Sequence, residues 1–425
     1  MDVPHVMPAA GVARVRAASA KRSARSGGEV ACVPRLLVVG GEDHALRIPF
    51  LVKLAAHGFE IAAAGSGDAE PFRARGIAHH SYDLDRFLAP LHDWRACRQL
   101  AQIIRVVEPD VVLSFDTKPA LLVPVAARAA GAGRVARTIN GLGWVFSATT
   151  PRALALRPVF KALHALTDPL TAMTIFQNRS DEKFFKASHI TRGRSHLIPG
   201  SGVEIARFSA SGERRAAIAR LRCELQLGDA PVVLTVARLA RIKGIATLLE
   251  AAAIVHRERP DVRFLLAGGR AEEGPDAVSE RELAVHARYV HVLGRRSDIA
   301  DLLALAEVFA FPTELCEGVP RVLLEAALAG TPIVTTRMPG CTDVVEHGVS
   351  GLVCEPRRPG ELASAILRAL DESGAMHAMA LRASEWVARE FNLDVTVERY
   401  AAVLRDLVDT ERARSTDERA TNVTA

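Results

Sequence analysis

Aromatic residues make up only 5% of the 425-residue chain. A nucleic-acid groove needs clustered basic residues interleaved with stacking rings, so this scarcity argues against a nucleic-acid reader. Cysteine is sparse as well. The six (Cys32, Cys97, Cys223, Cys316, Cys341, Cys354) are scattered, with no CxxC pair and no Cys/His cluster at zinc spacing. They read as buried thiols in a reducing compartment. Long apolar runs are missing: Ala120 to Ala127 is stopped by Arg128, well short of the roughly 18 residues a spanning helix requires. The amino-terminal segment lacks the apolar core and small-residue cleavage site of a secretory signal. The body of the chain also lacks a surplus of either charge. The formal charge is +5, but residues 1 to 35 hold Arg14, Arg16, Lys21, Arg22, Arg25 and Arg35 against Asp2 and Glu29, which places +4 of it there. Residues 1–34 are expected to form a disordered basic tail on a near-neutral body.

What is present is a repeated plan. Apolar β-type runs alternate with helical stretches: "LLVVG" at 36–40, "FEIAAAG" at 59–65, "DVVLSF" at 110–115, "VARTING" at 135–141 and "MTIFQN" at 173–178. Such runs argue for parallel strands covered by helices on both faces. After the turn-rich "LIPGSGVEIARF" the plan restarts with "PVVLTVARL", "VRFLLAGG", "VHVLG", "EVFAFPT" and "PIVTT". The expected organisation is α/β: a Rossmann-like domain over 35–205 and a second over 206–390, two doubly wound sheets facing each other across a cleft at their strand carboxyl ends. Val397, Tyr400, Leu404, Leu407 and Val408 share one helical face, so a helix over 391–410 is expected to pack back toward the first domain. Residues 411–425 are polar and expected to fray.

The most informative stretch is "CEGVPRVLLEAALAGTPIVTT", residues 316–336. Pro320 suits the first turn of a helix and Gly330 the position just past its end, predicting a helix over about 320–329. Its first amides, with those of Gly318 and Val319, are expected to be unsatisfied and to seat a phosphate. Glu325 lies among Leu323, Leu324, Ala326 and Ala327. An unpaired buried carboxylate there would cost several kcal/mol, so it needs donors such as a ribose diol. Glu317, in the loop before, is placed to meet hydroxyls of a second sugar. In "TVARLARIKG", Arg238 and Lys243 follow a strand and supply the two cations a departing diphosphate needs, with Arg241 facing solvent.

The order "VARLARIKG", "LAGG", "VLGRRSDI", "PTELCEGVPRVLLEAALAGTPIVTTRMPGC", "VVEHGVSGLV" resembles the carboxyl-terminal domain of retaining glycosyltransferases of the GT-B fold, family 4. Glu317 and Glu325 match its E-x7-E motif, and the resemblance runs from about 35 to 408. It implies that Arg238 and Lys243 bind a nucleotide-sugar diphosphate, Glu325 the ribose, and Glu317 with the Gly318 and Val319 amides the transferred sugar. Gly294 and Arg295 match the loop bordering the base. In the first half, "SFDTKP", "TINGLGWVFS", "IFQNRSDEKFF" and "IPGSGVEIARF" resemble bacterial enzymes that extend a sugar on a polyprenyl diphosphate in surface-glycan assembly.

The resemblance implies retaining transfer of a hexose or N-acetylhexosamine, UDP-linked, to a lipid-linked saccharide, without a cofactor or metal. Gly41, in "GGEDH" after the first strand, permits close backbone approach to the donor. His44 in that loop could polarise a leaving group. Lys118 and Asn140, at strand ends, are candidates for contact with acceptor or sugar. The "DLD" at 83–85 reads as a helix start rather than a metal site. Over 152–170, Leu156, Val159, Phe160, Leu163, Leu166 and Leu170 share a rough face with basic residues elsewhere, which suits a cytoplasmic protein touching the inner membrane surface peripherally, or a helix packed on its own sheet. Competing readings are transfer to a lipopolysaccharide-core or soluble acceptor, a nucleotide-sugar epimerase, and an inactive sugar-nucleotide-binding assembly partner.

Overall fold

β-Branched and leucine-rich pentads whose alternate residues all meet apolar partners become central parallel strands, and that is how the sheet begins at Arg35–Val39 (β1). Leu36 and Val38 pack on one face of β1 with Phe50, Leu51 and Leu54. Leu37 and Val39 pack on the other with Ala96, Leu100, Ile104 and Val123. The computed structural model describes residues 33–423 except 86–88, 133, 209–211, 271–273 and 275, and for Glu42 and 411–423 the backbone alone. Most of the expected basic tail therefore lies outside the described residues.

The first lobe continues with β2 (Glu60–Gly65), β3 (Ala78–Ser81), β4 (Val111–Ser114), β5 (Arg134–Ile139), β6 (Met173–Phe176) and β7 (Ser195–Leu197). They form a parallel sheet in the order β3-β2-β1-β4-β5-β6-β7. The second lobe repeats the plan with β8 (Val232–Val236), β9 (Arg263–Ala267), β10 (Val290–Gly294), β11 (Val308–Phe311), β12 (Ile333–Thr336) and β13 (Leu352–Cys354), ordered β10-β9-β8-β11-β12-β13. Here too the central strand is covered twice: Val232 and Leu234 meet Leu302, Leu323 and Leu324 on one face, and Val233 meets Leu248, Leu249 and Leu362 on the other. The fold is two Rossmann-like layers, and β3, β7 and β13, short strands at the sheet edges or without an apolar run, are the strands the pattern reading omits.

The last helix, Leu393–Val423, returns to the first lobe. Val397, Tyr400, Leu404 and Leu407 are buried against the β1 face, each worth about 2 kcal/mol of apolar burial. The Tyr400 ring lies 5.1 Å from Phe50 and 5.8 Å from Phe115. The backbone remains helical through Val423, past the expected end near 410. Other departures are local. Asp83 bonds Gln99 through its amide and carboxylate at 2.8 and 3.0 Å; the next described helix begins at Pro90, and residues 86–88, where a helix started by "DLD" would open, lie outside the described residues. Cys341 and Cys354 are buried, but Cys223 is exposed and Cys97 and Cys316 are half-buried, so the cysteines are not uniformly buried thiols. No described helix is long and apolar enough to cross a membrane.

Candidate active site

Four segments converge where the lobes meet. The first is the loop ending in the turn Arg241–Lys243 after β8, and the second is the run from Thr313 to the helix Arg321–Leu328. The first lobe contributes the loop after β5 and the residues following β6.

Lys243 is buried under the loop after β11, with its ammonium 2.8 Å from Glu317 Oε1 and 5.9 Å from the Phe311 ring centre. Thr313 Oγ1 donates to the same carboxylate oxygen at 2.9 Å. Glu317 is thus paired and aimed, which is how a carboxylate tolerates a site only 18% exposed. Arg238 sits in the loop after β8, partly buried.

The helix begins at Arg321, with Pro320 as its N-cap residue at φ −64°, one position later than the sequence suggested. Gly330, at φ +72°, closes it in the left-handed conformation. Leu323, Leu324, Ala326 and Ala327 bury one face. Glu325 looks the other way, toward the cleft. Its carboxylate accepts from Arg321 Nε at 3.0 Å, so the donor it needs is supplied within the helix, one turn earlier. Arg321 also donates from Nη1 to the Leu46 carbonyl of the first lobe at 3.2 Å. Sequence reasoning passed over Arg321, although an i,i+4 Arg–Glu pair is visible in "RVLLE".

The phosphate seat needs correction in one respect. The Gly318 amide is not unsatisfied: it donates to the Asn140 carbonyl at 3.0 Å. The amides of Val319, Arg321 and Val322 have no acceptor among the described residues and remain the donors of this helix end. Gly318 is required because a Cβ there would lie 2.7 Å from Gln177 Oε1 and 3.0 Å from the Asn140 carbonyl carbon. Gly141, at φ +107°, faces it as closely, its Cβ position being 2.6 Å from the Glu317 carbonyl carbon. The sequence placed these glycines near the site but did not show that they touch each other across the lobe boundary.

The first lobe grips the Glu317 loop by its backbone. Cys316 donates its amide to Ser147 Oγ at 2.6 Å and accepts from the Gly143 amide at 3.1 Å. Asn178 Nδ2 reaches the carbonyls of Glu317 and Gly318, both at 3.2 Å, and Asp181 Oδ2 at 2.8 Å. Asn178 is the N-cap of the helix Arg179–Ala187, a role its N-x-x-D spacing signals. Burial raises the Asp181 carboxyl to about 7, with the Asn178 bond opposing the rise and Asp343 adding to it. Because the folded value exceeds the ordinary 3.8, stability from this group is full below about pH 4 and lost as pH rises through about 7. Asp181→Asn is expected to flatten the fall in melting temperature between about pH 4 and 7. A thermal-melt series with an unchanged pH profile would refute that.

Two of the remaining sequence candidates, Gly41 and Lys118, already have partners within the protein. The Gly41 amide donates to Asp116 Oδ2 at 3.0 Å, so it is engaged rather than open to a ligand. Asp116 also accepts from Arg47 at 2.8 Å and Asn140 Nδ2 at 3.2 Å. Burial pushes its carboxyl up, but Arg47 and the Gly41 amide outweigh that and hold it below the usual range. Lys118 is tied to Asp93 at 2.6 Å. His44 is fully buried beside the Phe72 ring, and burial, with Arg47, lowers it to about 3. Gly294, at φ +68°, ends β10 after a register shift, and Arg295 beside it is exposed. A cavity of about 300 Å³ between the lobes is lined by Arg47, Asp116, Ser201, Glu204, Glu317 and Arg321. Among the described residues no group of three or more His, Cys, Asp or Glu could hold a metal ion.

Two open sheets, a cleft at their carboxyl ends, and a paired carboxylate beside a helix amino terminus make a site suited to a ligand that carries both hydroxyls and phosphate. Family comparison agrees for each lobe: residues 35–174 match the glycosyl transferase 4-like model and 230–372 the glycosyl transferases group 1 model. The chain belongs to the family-4 glycosyltransferases of the GT-B fold, and it is an enzyme of that class. It is 28% identical to a GDP-mannose-dependent alpha-(1-6)-phosphatidylinositol monomannoside mannosyltransferase of Mycobacterium tuberculosis, over 87% of this chain and 91% of that one. It is 26% identical to the N,N'-diacetylbacillosaminyl-diphospho-undecaprenol alpha-1,3-N-acetylgalactosaminyltransferase of Campylobacter jejuni, over 85% and 95%. In fold it is similar to Anabaena HepE in complex with UDP-glucose, with TM-score 0.72 and 20% identity over 88% of this chain and all of that one.

Proposed function

We propose that the enzyme moves a hexose or N-acetylhexosamine, with retention of configuration, from a UDP-linked donor to a sugar carried on a polyprenyl diphosphate. The observation that carries the donor half is the Lys243–Glu317 pair, 2.8 Å apart beside the amides of Val319, Arg321 and Val322. Cation and amides suit a diphosphate, with Arg238 as a second cation. Glu325, after exchanging Arg321 for a ribose diol, suits the nucleoside. Glu317 then holds hydroxyls of the transferred sugar. The loop at Gly294 and Arg295 borders the base, and Asn140 and Lys118 lie toward the acceptor. The acceptor half is supported by similarity to the Campylobacter enzyme over nearly its whole length.

In the step itself the sugar C1–O bond to the diphosphate breaks as the acceptor oxygen bonds C1 on the same face. The acceptor proton passes to the departing phosphate oxygen. Fixed positive groups stabilise the charge that develops there, so turnover is proposed to need no metal. A second donor, GDP-mannose, is favoured by the mycobacterial relative.

The test is nucleoside diphosphate release from a panel of UDP-, GDP- and dTDP-sugars, with and without a polyprenyl-diphosphate-linked sugar, in EDTA. Release of UDP from one donor only when the lipid is present is the expected result. Release of GDP instead would replace the donor. Release with a soluble sugar alone would overturn the acceptor, and dependence on a divalent ion would overturn the metal-free step.

A further inference from the structure

The first lobe presents a face with no part in the proposed chemistry. Helices Pro90–Val107, Pro119–Ala130 and Pro151–Thr167 pack side by side in that order. The third was expected to gather Leu156, Val159, Phe160, Leu163, Leu166 and Leu170 on one side. It instead turns Ala153, Phe160, His164 and Thr167 inward, so Phe160 leaves that face and His164 is not on a solvated basic side. Leu154, Val159, Leu163 and Leu166 are left outside, the last 71% exposed. On the first helix Leu91 and Trp94 are 76% and 59% exposed. A run of large apolar side chains in water across neighbouring helices marks an interaction surface.

Charge indicates what it meets. The three helices contain a single acid, Asp93, and seven Lys or Arg. Asp93 is neutralised by Lys118 at 2.6 Å. Arg95, Arg98 and Arg152 are exposed among the apolar residues, and the Arg98 guanidinium lies 4.8 Å over the Trp94 ring. Leucine and valine facing outward, an exposed tryptophan, and cations that outnumber the acids of these helices form the composition of an interfacial layer: apolar tips enter the headgroup boundary while guanidinium groups meet lipid phosphates. Nucleic acid would use the cations but has no use for the leucines.

We propose that this three-helix face docks the enzyme on an anionic lipid bilayer. The helices start at the strand carboxyl ends, so docking sets the cleft mouth near the bilayer. The inference builds on the lipid-linked acceptor reading in that such an acceptor is anchored in the same surface.

Vesicle flotation of the full-length chain, with no donor or acceptor present, tests the proposal independently of catalysis. The probes are phosphatidylcholine vesicles with and without about 30% phosphatidylglycerol. Binding is expected to be at least roughly tenfold stronger on the anionic vesicles and to fall as salt rises. Two variants, Leu154→Ser/Leu163→Ser/Leu166→Ser and Arg95→Gln/Arg98→Gln/Arg152→Gln, are each expected to lose about tenfold in binding while keeping the wild-type melting temperature. Equal binding to neutral and anionic vesicles would overturn the proposal, as would variants that bind like wild type. So would a wild-type chain that ignores vesicles and instead self-associates through the leucine face. If anionic vesicles bind but a polyprenyl-diphosphate sugar is not extended, the acceptor reading fails and the docking stands.

Discussion

Lys243→Ala is expected to lower kcat/KM for donor turnover by about 100- to 1000-fold, the cost of removing one preorganised charge from a developing oxyanion. Its ammonium is held 2.8 Å from Glu317 in a site where the two side chains are only 10% and 18% exposed. Losing it takes away the cation proposed for the diphosphate and leaves the Glu317 carboxylate with Thr313 as its side-chain partner among the described residues. Glu317→Gln is expected to be nearly as severe, because the amide keeps the shape but pairs poorly with Lys243. Glu317 lines the cleft while Lys243 is buried, so Lys243→Ala is also expected to lower the melting temperature by several degrees, and the folded fraction is checked at the assay temperature. Steady-state nucleoside diphosphate release with the matched acceptor is the measurement. Rates within about twofold of wild type in both variants would remove this pair from the chemistry, since even a modest electrostatic contribution exceeds that.

The largest effect on stability is expected at Asp168→Ala. Arg137 is fully buried in the middle of β5, with Nη2 donating to Asp168 Oδ1 at 2.9 Å, Nε to Thr174 Oγ1 at 3.0 Å and Nη1 to Thr167 Oγ1 at 3.0 Å. Asp168 also accepts the Arg192 amide at 2.8 Å and the Gly193 amide at 3.2 Å. One carboxylate therefore ties the helix Pro151–Thr167 to β5 and to the turn before β7. Burial pulls the Arg137 guanidinium down to about 10 against the opposing pull of Asp168. Removing the carboxylate strands a buried cation, at a cost of about 3–5 kcal/mol. The melting transition of the first lobe should fall by roughly 5–15 °C. Calorimetry can read the lobes separately, and the second lobe should melt where it does in wild type. An unchanged first transition would mean that Arg137 finds water or another acceptor. Arg137→Met/Asp168→Leu should recover part of the loss, because an apolar pair carries no desolvation cost.

Legibility differed from one feature to the next for identifiable reasons. The central strands of both sheets stood out because each is apolar on both faces, as in "LLVV" and "VVLTV". The edge strands β3 and β7 did not, since "AHHS" and "SHL" are half-exposed and carry no such run. Glu325 was legible because a carboxylate among leucines and alanines demands a partner, Glu317 from its place eight positions earlier before the helix, and Lys243 from its place with Arg238 in the loop after a strand. Their partners were harder to read. Lys243 and Glu317 are 74 positions apart in the chain, and nothing local says they bond each other. Nor does local sequence say that the amides of Gly41 and Gly318 are already spent on Asp116 and Asn140.

The alternation of apolar runs, the helix bounded by Pro320 and Gly330, and the odd carboxylate within it are local or periodic properties, so the order of residues alone determined two doubly wound lobes and the helix that carries Glu325. Distances between segments remote in the chain are set by packing. Only the tertiary structure decided that the loop after β5 and the Asn178 cap hold the Glu317 loop by its backbone, that Arg321 links Glu325 to the first lobe, and which side of the helix Pro151–Thr167 faces outward. A helix of apolar residues can turn either side to a sheet. Here Phe160 and His164 fill the space beside Phe185, and the leucines are left to the surface.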